Sequence, residues 1–424
     1  MAFQRSVSVN ILTIAGCVTI AYYIRTWFPA GQIEKSILEY PKESLVNFTQ
    51  YAIKYRYIAE EHTIVTDDGY ILSVFRIQNK KCEGRTHQPP VMLMHGLTQS
   101  SDTFLDAGPN AGLAYLLADA CYDIWVGNQR GNYYARRHVI LDPDKDPTFW
   151  NFSFDEMGYY DVPAMIDYVL DHTGYKKLNY IGYSQGDAVF IIMCSERPDY
   201  CSKVHGHISL SPASRLMNTK SLYMRSVCIT VSKLETLLAG FGINEVFSIG
   251  AFMQILIEII CKCETITEPI AGTLISGVLD AYHTGSITSE TLHRMSSHFP
   301  SGTSLHNLAH YGQTMQNDRF QKFDYGETRN LIKYGSKEPP TYNISLVTPP
   351  TVLLYSRNDN LVDKEDLDWF IDKLPNLLEI EEIADPMFNH LDIVYSQYGK
   401  ELVFPFVCRN LQRFSVPKNE SRWV

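Results

Sequence analysis

A serine hydroxyl becomes a useful nucleophile only when a base takes its proton and an acid holds that base in place. Gly182-Tyr183-Ser184-Gln185-Gly186 offers such a serine. Residues 177–181 before it read as a short strand, and residues 187–196 after it read as a helix, so the pentapeptide spans a strand-to-helix turn. That context separates it from a chance turn. A sharp turn here needs small neighbours, hence the glycines, and it lifts the hydroxyl to a helix N-terminus where developing negative charge is favoured.

The chain carries 13 histidines. Where a nucleophile sits on such a turn, its acid and then its histidine follow along the chain. That order leaves His205, His207, His283, His293, His298, His306, His310 and His390. His205 and His207 lie at or inside a strand pattern, and His283 to His310 fall in a helical stretch. His390 alone follows the last strand pattern. The acid belongs at the C-terminal end of the preceding strand. Residues 351–355 read as that strand and are followed by Ser356-Arg357-Asn358-Asp359-Asn360, which makes Asp359 the candidate. Asp359 has a plainer reading as a turn former. Asp363 and Asp366 read as the first turn of the next helix, and Asp392 as a residue that holds the His390 loop. Two backbone N–H groups are needed for the oxyanion. Gln185, directly after the serine, supplies one, and Leu97 in the turn His95-Gly96-Leu97 supplies the other. His95 packs that turn from behind.

The elements that must position these groups form a simple pattern. Strand-like runs at 90–94, 122–126, 177–181 and 207–210 alternate with helical patterns at 161–172 and 187–196. Such alternation predicts an α/β fold, a mainly parallel sheet with helices on both faces. From about residue 215 the strand runs stop, and helical patterns at 247–260 and 271–279 replace them. Strand patterns resume at 351–355 and 377–383, and a closing helix is expected at 398–412. We therefore expect a leader at 1–24, a first part of the core at 25–214, an inserted helical cap or lid at 215–345, and a second part at 346–424. An independent middle domain is the other arrangement, but no Gly/Ser-rich linker flanks it.

The chain has 424 residues, 45% hydrophobic and 20% charged, as a sizeable globular core requires. A net charge of -10 argues against a nucleic-acid partner. Arg5 and the apolar stretch 7–24 read as a secretory signal peptide, with an uncleaved membrane signal anchor as the alternative. Nine cysteines fit an oxidising compartment. Cys228 with Cys261 or Cys263 is the expected disulfide, against the reading that all three are free. Asn47, Asn151, Asn343 and Asn419 head N-x-S/T tripeptides and are candidate glycosylation sites. No metal-ligand spacing is seen, so neither a metal nor a cofactor is expected.

From about Glu34 to Gln412 the chain resembles the acid lipase family, which includes gastric and lysosomal acid lipases and insect lipases. The resemblance rests on His95-Gly96-Leu97, the run from Trp125 to Asn132, Phe152-Ser153-Phe154-Asp155-Glu156-Met157 and Met193-Cys194-Ser195-Glu196-Arg197-Pro198. It continues in Gly302-Thr303-Ser304, His310-Tyr311, Phe323-Asp324-Tyr325-Gly326 and Asn389-His390-Leu391-Asp392. It implies an α/β-hydrolase fold with a cap and lid, a triad at Ser184, Asp359 and His390, and oxyanion donors at Leu97 and Gln185. It also implies action on acylglycerols or sterol esters at a lipid–water interface. The leader, the cysteines and the N-x-S/T tripeptides lead us to expect a secreted or lysosomal protein, and a monomer is expected. A narrow esterase or acyltransferase, or a lipid-binding protein on a retired hydrolase scaffold, are the alternatives. The family usually has His where Tyr183 stands, a small hydroxyl residue at Asp187, and Leu-Leu-Gly-Ser where this chain has Leu97-Thr98-Gln99-Ser100. Asp187 puts a carboxylate in the first helical turn beside an oxyanion site, so we expect it to lower activity or shift the pH profile.

Overall fold

A buried strand in a parallel sheet has both faces covered and reads as an unbroken apolar run. Val91–Met94 (β3), Ile124–Val126 (β4) and Leu178–Tyr183 (β5) are buried along their whole length in the computed structural model. The structure describes residues 46–82, 88–248 and 277–415. The leader, Asn419, Cys261, Cys263 and nearly all of the expected helices at 247–260 and 271–279 lie outside the described residues.

Val204–Leu210 (β6), Thr351–Tyr355 (β7) and Leu377–Glu382 (β8) complete the parallel part of the main sheet. Ile58–Val65 (β1) and Ile71–Gln78 (β2) pair antiparallel, and β2 joins β4, also antiparallel. The order across the eight strands is β1-β2-β4-β3-β5-β6-β7-β8, parallel from β4 onward. The strand that carries Ser184 is therefore interior. The α/β-hydrolase architecture expected from the sequence is the one found, with β1 and β2 as additions.

Alternation within each strand feeds two cores. Met92, Met94, Trp125 and Tyr180 face one side, against Val162–Thr173 (α1) and Gln185–Glu196 (α2). Val91, Leu93, Val126, Ile181 and Tyr183 face the other, against Phe404–Arg413 (α6). The closing helix expected at 398–412 is a short turn at Gly399–Leu402 followed by this helix, because Pro405 starts a new one.

Among the described residues, the segment between β6 and β7 adds no strand to the main sheet. It holds the helices Leu222–Gly240 (α3), Ser289–Ser296 (α4) and Leu305–Thr314 (α5) and a two-residue pairing of Glu245–Val246 with Thr303–Ser304. Gly312 lets α5 lie directly on α3, since a Cβ there would meet the Cys228 carbonyl oxygen at 2.1 Å. Two disulfides join cysteines that the sequence did not pair: Cys82 with Cys121, and Cys194 with Cys201. Cys228 is a free thiol buried under α5, and the partners expected for it, Cys261 and Cys263, lie outside the described residues.

Candidate active site

The turn between β5 and α2 forces Ser184 to φ 56°, ψ −119°, a left-handed backbone that side chains rarely adopt. Its glycines are required by close contact. A Cβ on Gly186 would lie 2.1 Å from the Met94 carbonyl oxygen, and one on Gly182 would lie 2.6 Å from Asp187 Cα. The serine thus stands at the C-terminal edge of the sheet, at the start of α2. The main-chain N–H of Gln185 is among the first of that helix, which have no acceptor within the helix. The Gln185 side chain is turned inward, bonded to Gln129 and accepting from Asn307 at 3.0 Å.

Leu97 follows β3 and shares the pocket over Ser184 with His390. A Cβ on Gly96 would sit 3.3 Å from Ser184 Oγ, so this turn lies against the serine. His95 is buried behind it and fixes its shape. Its Nδ1 is 2.8 Å from the Gly96 carbonyl, and its Nε2 accepts the Gln129 N–H at 3.2 Å. Those two contacts require the neutral ring, and burial, opposed by the Gly96 bond, pushes the His95 pKa down to about 4. Thr98 takes a positive φ of 58° here, and its carbonyl accepts the Ser301 N–H at 2.7 Å.

The expected acid and base meet. His390 Nδ1 lies 2.7 Å from Asp359 Oδ2, and both side chains are buried. Asp359 Oδ1 accepts the N–H groups of Leu361 and Val362, which orients the carboxylate after β7. Burial opposes a charged His390, but the charge and hydrogen bond of Asp359 outweigh it and raise the ring above the ordinary histidine range. The rival carboxylates are occupied elsewhere. Asp363 caps the helix Lys364–Ile371, and Asp366 binds Arg215 at 2.8 Å. Asp392 accepts from Ser286 at 2.6 Å and lies 2.7 Å from His283 Nδ1. Of the other histidines, His306 pairs with Glu235 and His310 is buried between Ser153 and Gln321.

Sequence reading missed Asp280. Its carboxyl accepts the His390 N–H at 2.6 Å and the Leu391 N–H at 3.3 Å on one oxygen, and the Asn360 N–H at 2.8 Å on the other. One buried group thereby ties the acid loop to the histidine loop. Burial, then the charge of Asp359, pushes its pKa up to about 8. No local motif marks Asp280; the only signal is its place at the end of the helical pattern 271–279. Tyr183 also acquires a place. Its hydroxyl donates to the His390 carbonyl at 2.9 Å, and the two rings are 5.0 Å apart. Asp187 does not line the pocket. It lies 2.7 Å from His207 Nε2, with both side chains fully buried, so its carboxylate faces β6.

The pocket over Ser184 is lined mainly by apolar groups, among them Leu216, Met224, Phe247, Leu279 and Phe299, and it suits a hydrocarbon chain. Asn151 and Asn343 are exposed, and Asn47 is half-buried, its side-chain oxygen capping the helix Phe48–Lys54.

Two family descriptions match parts of the chain: "Partial alpha/beta-hydrolase lipase region" over residues 48–108 and "alpha/beta hydrolase fold" over residues 89–221. Lipase 1 of Drosophila melanogaster is 37% identical over 364 residues, covering 86% of this chain and 79% of that one. Gastric triacylglycerol lipase of Homo sapiens is 35% identical over 365 residues, covering 85% of this chain and 90% of that one. Lipase 3 of Drosophila melanogaster is 36% identical over 361 residues, with 84% and 91% covered. A serine on a strained strand-to-helix turn, an Asp–His pair beside it and identity at this level over most of both chains lead to one conclusion: the chain belongs to the acid lipase family of α/β hydrolases.

Proposed function

We propose that this chain is a lipase, a carboxylic ester hydrolase that cleaves acylglycerols or sterol esters through an acyl-enzyme on Ser184. The observation that carries the reading is the His390–Asp359 contact of 2.7 Å in a pocket shared with Ser184 and walled by apolar groups. Ser184 Oγ attacks the ester carbonyl while His390 Nε2 takes its proton. Asp359 holds the ring with Nδ1–H toward itself and stabilises the imidazolium. The N–H groups of Leu97 and Gln185 receive the oxyanion. His390 then protonates the leaving alcohol, water enters by the reverse path, and the fatty acid departs. Asp280 and Tyr183 act as positioning residues, holding the backbone of the histidine loop.

The segment 215–345 is proposed as a cap over this pocket, which would meet a lipid–water interface. The leader, the exposed tripeptides and the two disulfides support a secreted or lysosomal site of action, since such bridges persist in oxidising compartments. No helix among the described residues is long and apolar enough to cross a membrane.

A substrate panel tests the proposal: emulsified triacylglycerol, a sterol ester and a short soluble ester, each at acidic and neutral pH. Turnover of a long-chain ester that drops at least about 10³-fold in Ser184→Ala is expected. Ester turnover by Ser184→Ala at the wild-type rate would exclude the mechanism.

A further inference from the structure

Three metal-ligand side chains meet far from the proposed chemistry, on the outer part of the sheet. Glu60 and His62 are two residues apart on β1, so strand alternation puts both on one face. His172 lies in the last turn of α1. One donor atom from each of the three lies within 4.8 Å of the others. His62 Nε2 and Glu60 Oε2 are already 3.3 Å apart. Two ligands bound to one tetrahedral ion at about 2.0–2.1 Å stand at about that spacing.

The surroundings suit the role. His62 Nδ1 is 2.9 Å from the Tyr168 hydroxyl. An Nδ1–H bond to that oxygen leaves the Nε2 lone pair directed at Glu60, the outer contact that orients a ligating imidazole. Arg76 is the competing cation, 3.5 Å from Glu60. It is held more tightly by both oxygens of Asp123, at 2.7 and 2.8 Å. Glu60, about half exposed at 48%, is free to turn toward an ion. His172 is exposed, and its donor atom already lies within 4.8 Å of the other two.

We propose that Glu60, His62 and His172 bind a divalent transition metal of the zinc type, with water in the fourth position. Two imidazoles and one carboxylate suit zinc, copper or nickel better than magnesium or calcium, which take oxygen ligands. The ion would clasp edge strand β1 to α1. Sequence spacing hid the site because His172 comes from a distant element.

Chelator-treated full-length protein is titrated with Zn²⁺ in a calorimeter and with Cu²⁺ under tryptophan fluorescence. The Trp125 ring centroid is 4.9 Å from that of His62 and 5.3 Å from that of His172, so a Cu²⁺ ion here quenches it. His172→Ala and Glu60→Gln alter exposed side chains and leave the core intact. One equivalent of Zn²⁺ is expected, with binding weakened at least about tenfold and quenching lost in both variants. Either of two results overturns the proposal: no stoichiometric Zn²⁺ binding by the wild type, or unchanged affinity and quenching in both variants.

Discussion

Replacing Asp280 with alanine removes the acceptor for three N–H groups, two buried and one part-buried, on the two loops that carry Asp359 and His390. The contacts to His390 and Asn360, at 2.6 and 2.8 Å, are full hydrogen bonds, and the 3.3 Å contact to Leu391 is a weaker share of the same oxygen. A buried donor left unpaired costs about 1–3 kcal/mol, so two cost about 2–6 kcal/mol. Part of this is recovered, because a carboxyl whose burial is itself unfavourable is removed, as its raised pKa shows. The expected loss of stability is about 2–4 kcal/mol, read by urea unfolding. It depends on pH with a definite sign. The ordinary value is 3.8 and the folded value about 8, so the folded chain holds this proton more tightly. The stability from Asp280 is full below about pH 4 and fades as pH rises toward about 8, so wild type and variant converge at alkaline pH. Both loops also hold proposed reacting groups, and a displacement near 1 Å costs about 10²-fold. We expect kcat on a short soluble ester to fall about 10–100-fold, with KM altered less, since Asp280 does not line the pocket. A variant that loses stability but keeps kcat within about twofold would refute the positioning argument. One that loses neither would refute the hydrogen-bond reasoning as well.

Tyr183→Phe keeps the ring against His390 and deletes the hydroxyl, with its bond to the His390 carbonyl and its contact with Gln99; a stability loss of about 1–2 kcal/mol and a kcat loss of a fewfold are expected, and unchanged kinetics would remove Tyr183 from the positioning set. Asp187→Thr takes the buried acceptor from His207 and a carboxylate from the first turn of α2, so the pH–rate curve is expected to shift; a superimposable curve rejects that role. His95 is held neutral, with a folded value near 4 against the ordinary 6.5. Its contribution to stability is therefore present above about pH 6.5 and lost as pH falls toward about 4. His95→Gln is expected to flatten this part of the stability–pH curve; a curve with the wild-type slope counts against it.

The parallel strands were legible because covering both faces leaves unbroken apolar runs such as Val91–Met94. The pair β1 and β2 was not, since β1 is an edge strand whose half-exposed Glu60, Glu61 and His62 disguise its pattern. Chain order together with the positions of the last two strand patterns pointed to Asp359 and His390, and the structure brings them within hydrogen-bond distance of each other. Asp280 was hidden for a physical reason. It bonds to backbone N–H groups, which any sequence supplies, so no partner residue type betrays it. The disulfides were equally opaque, because pairing depends on which elements fold together. The departure at Tyr183 was visible as a difference but acquired a meaning only when the His390 loop was seen to cross its hydroxyl.

The central claim is that Ser184 is the nucleophile, and covalent labelling tests it most directly. The full-length protein is treated with a fluorophosphonate, digested, and mapped by mass spectrometry, with loss of ester hydrolysis followed in parallel. One phosphonyl group on the peptide bearing Gly182-Tyr183-Ser184-Gln185-Gly186, with inactivation proportional to labelling and no labelling in Ser184→Ala, is the result expected. Inactivation with the label on another residue, or full hydrolysis by Ser184→Ala, would contradict the account.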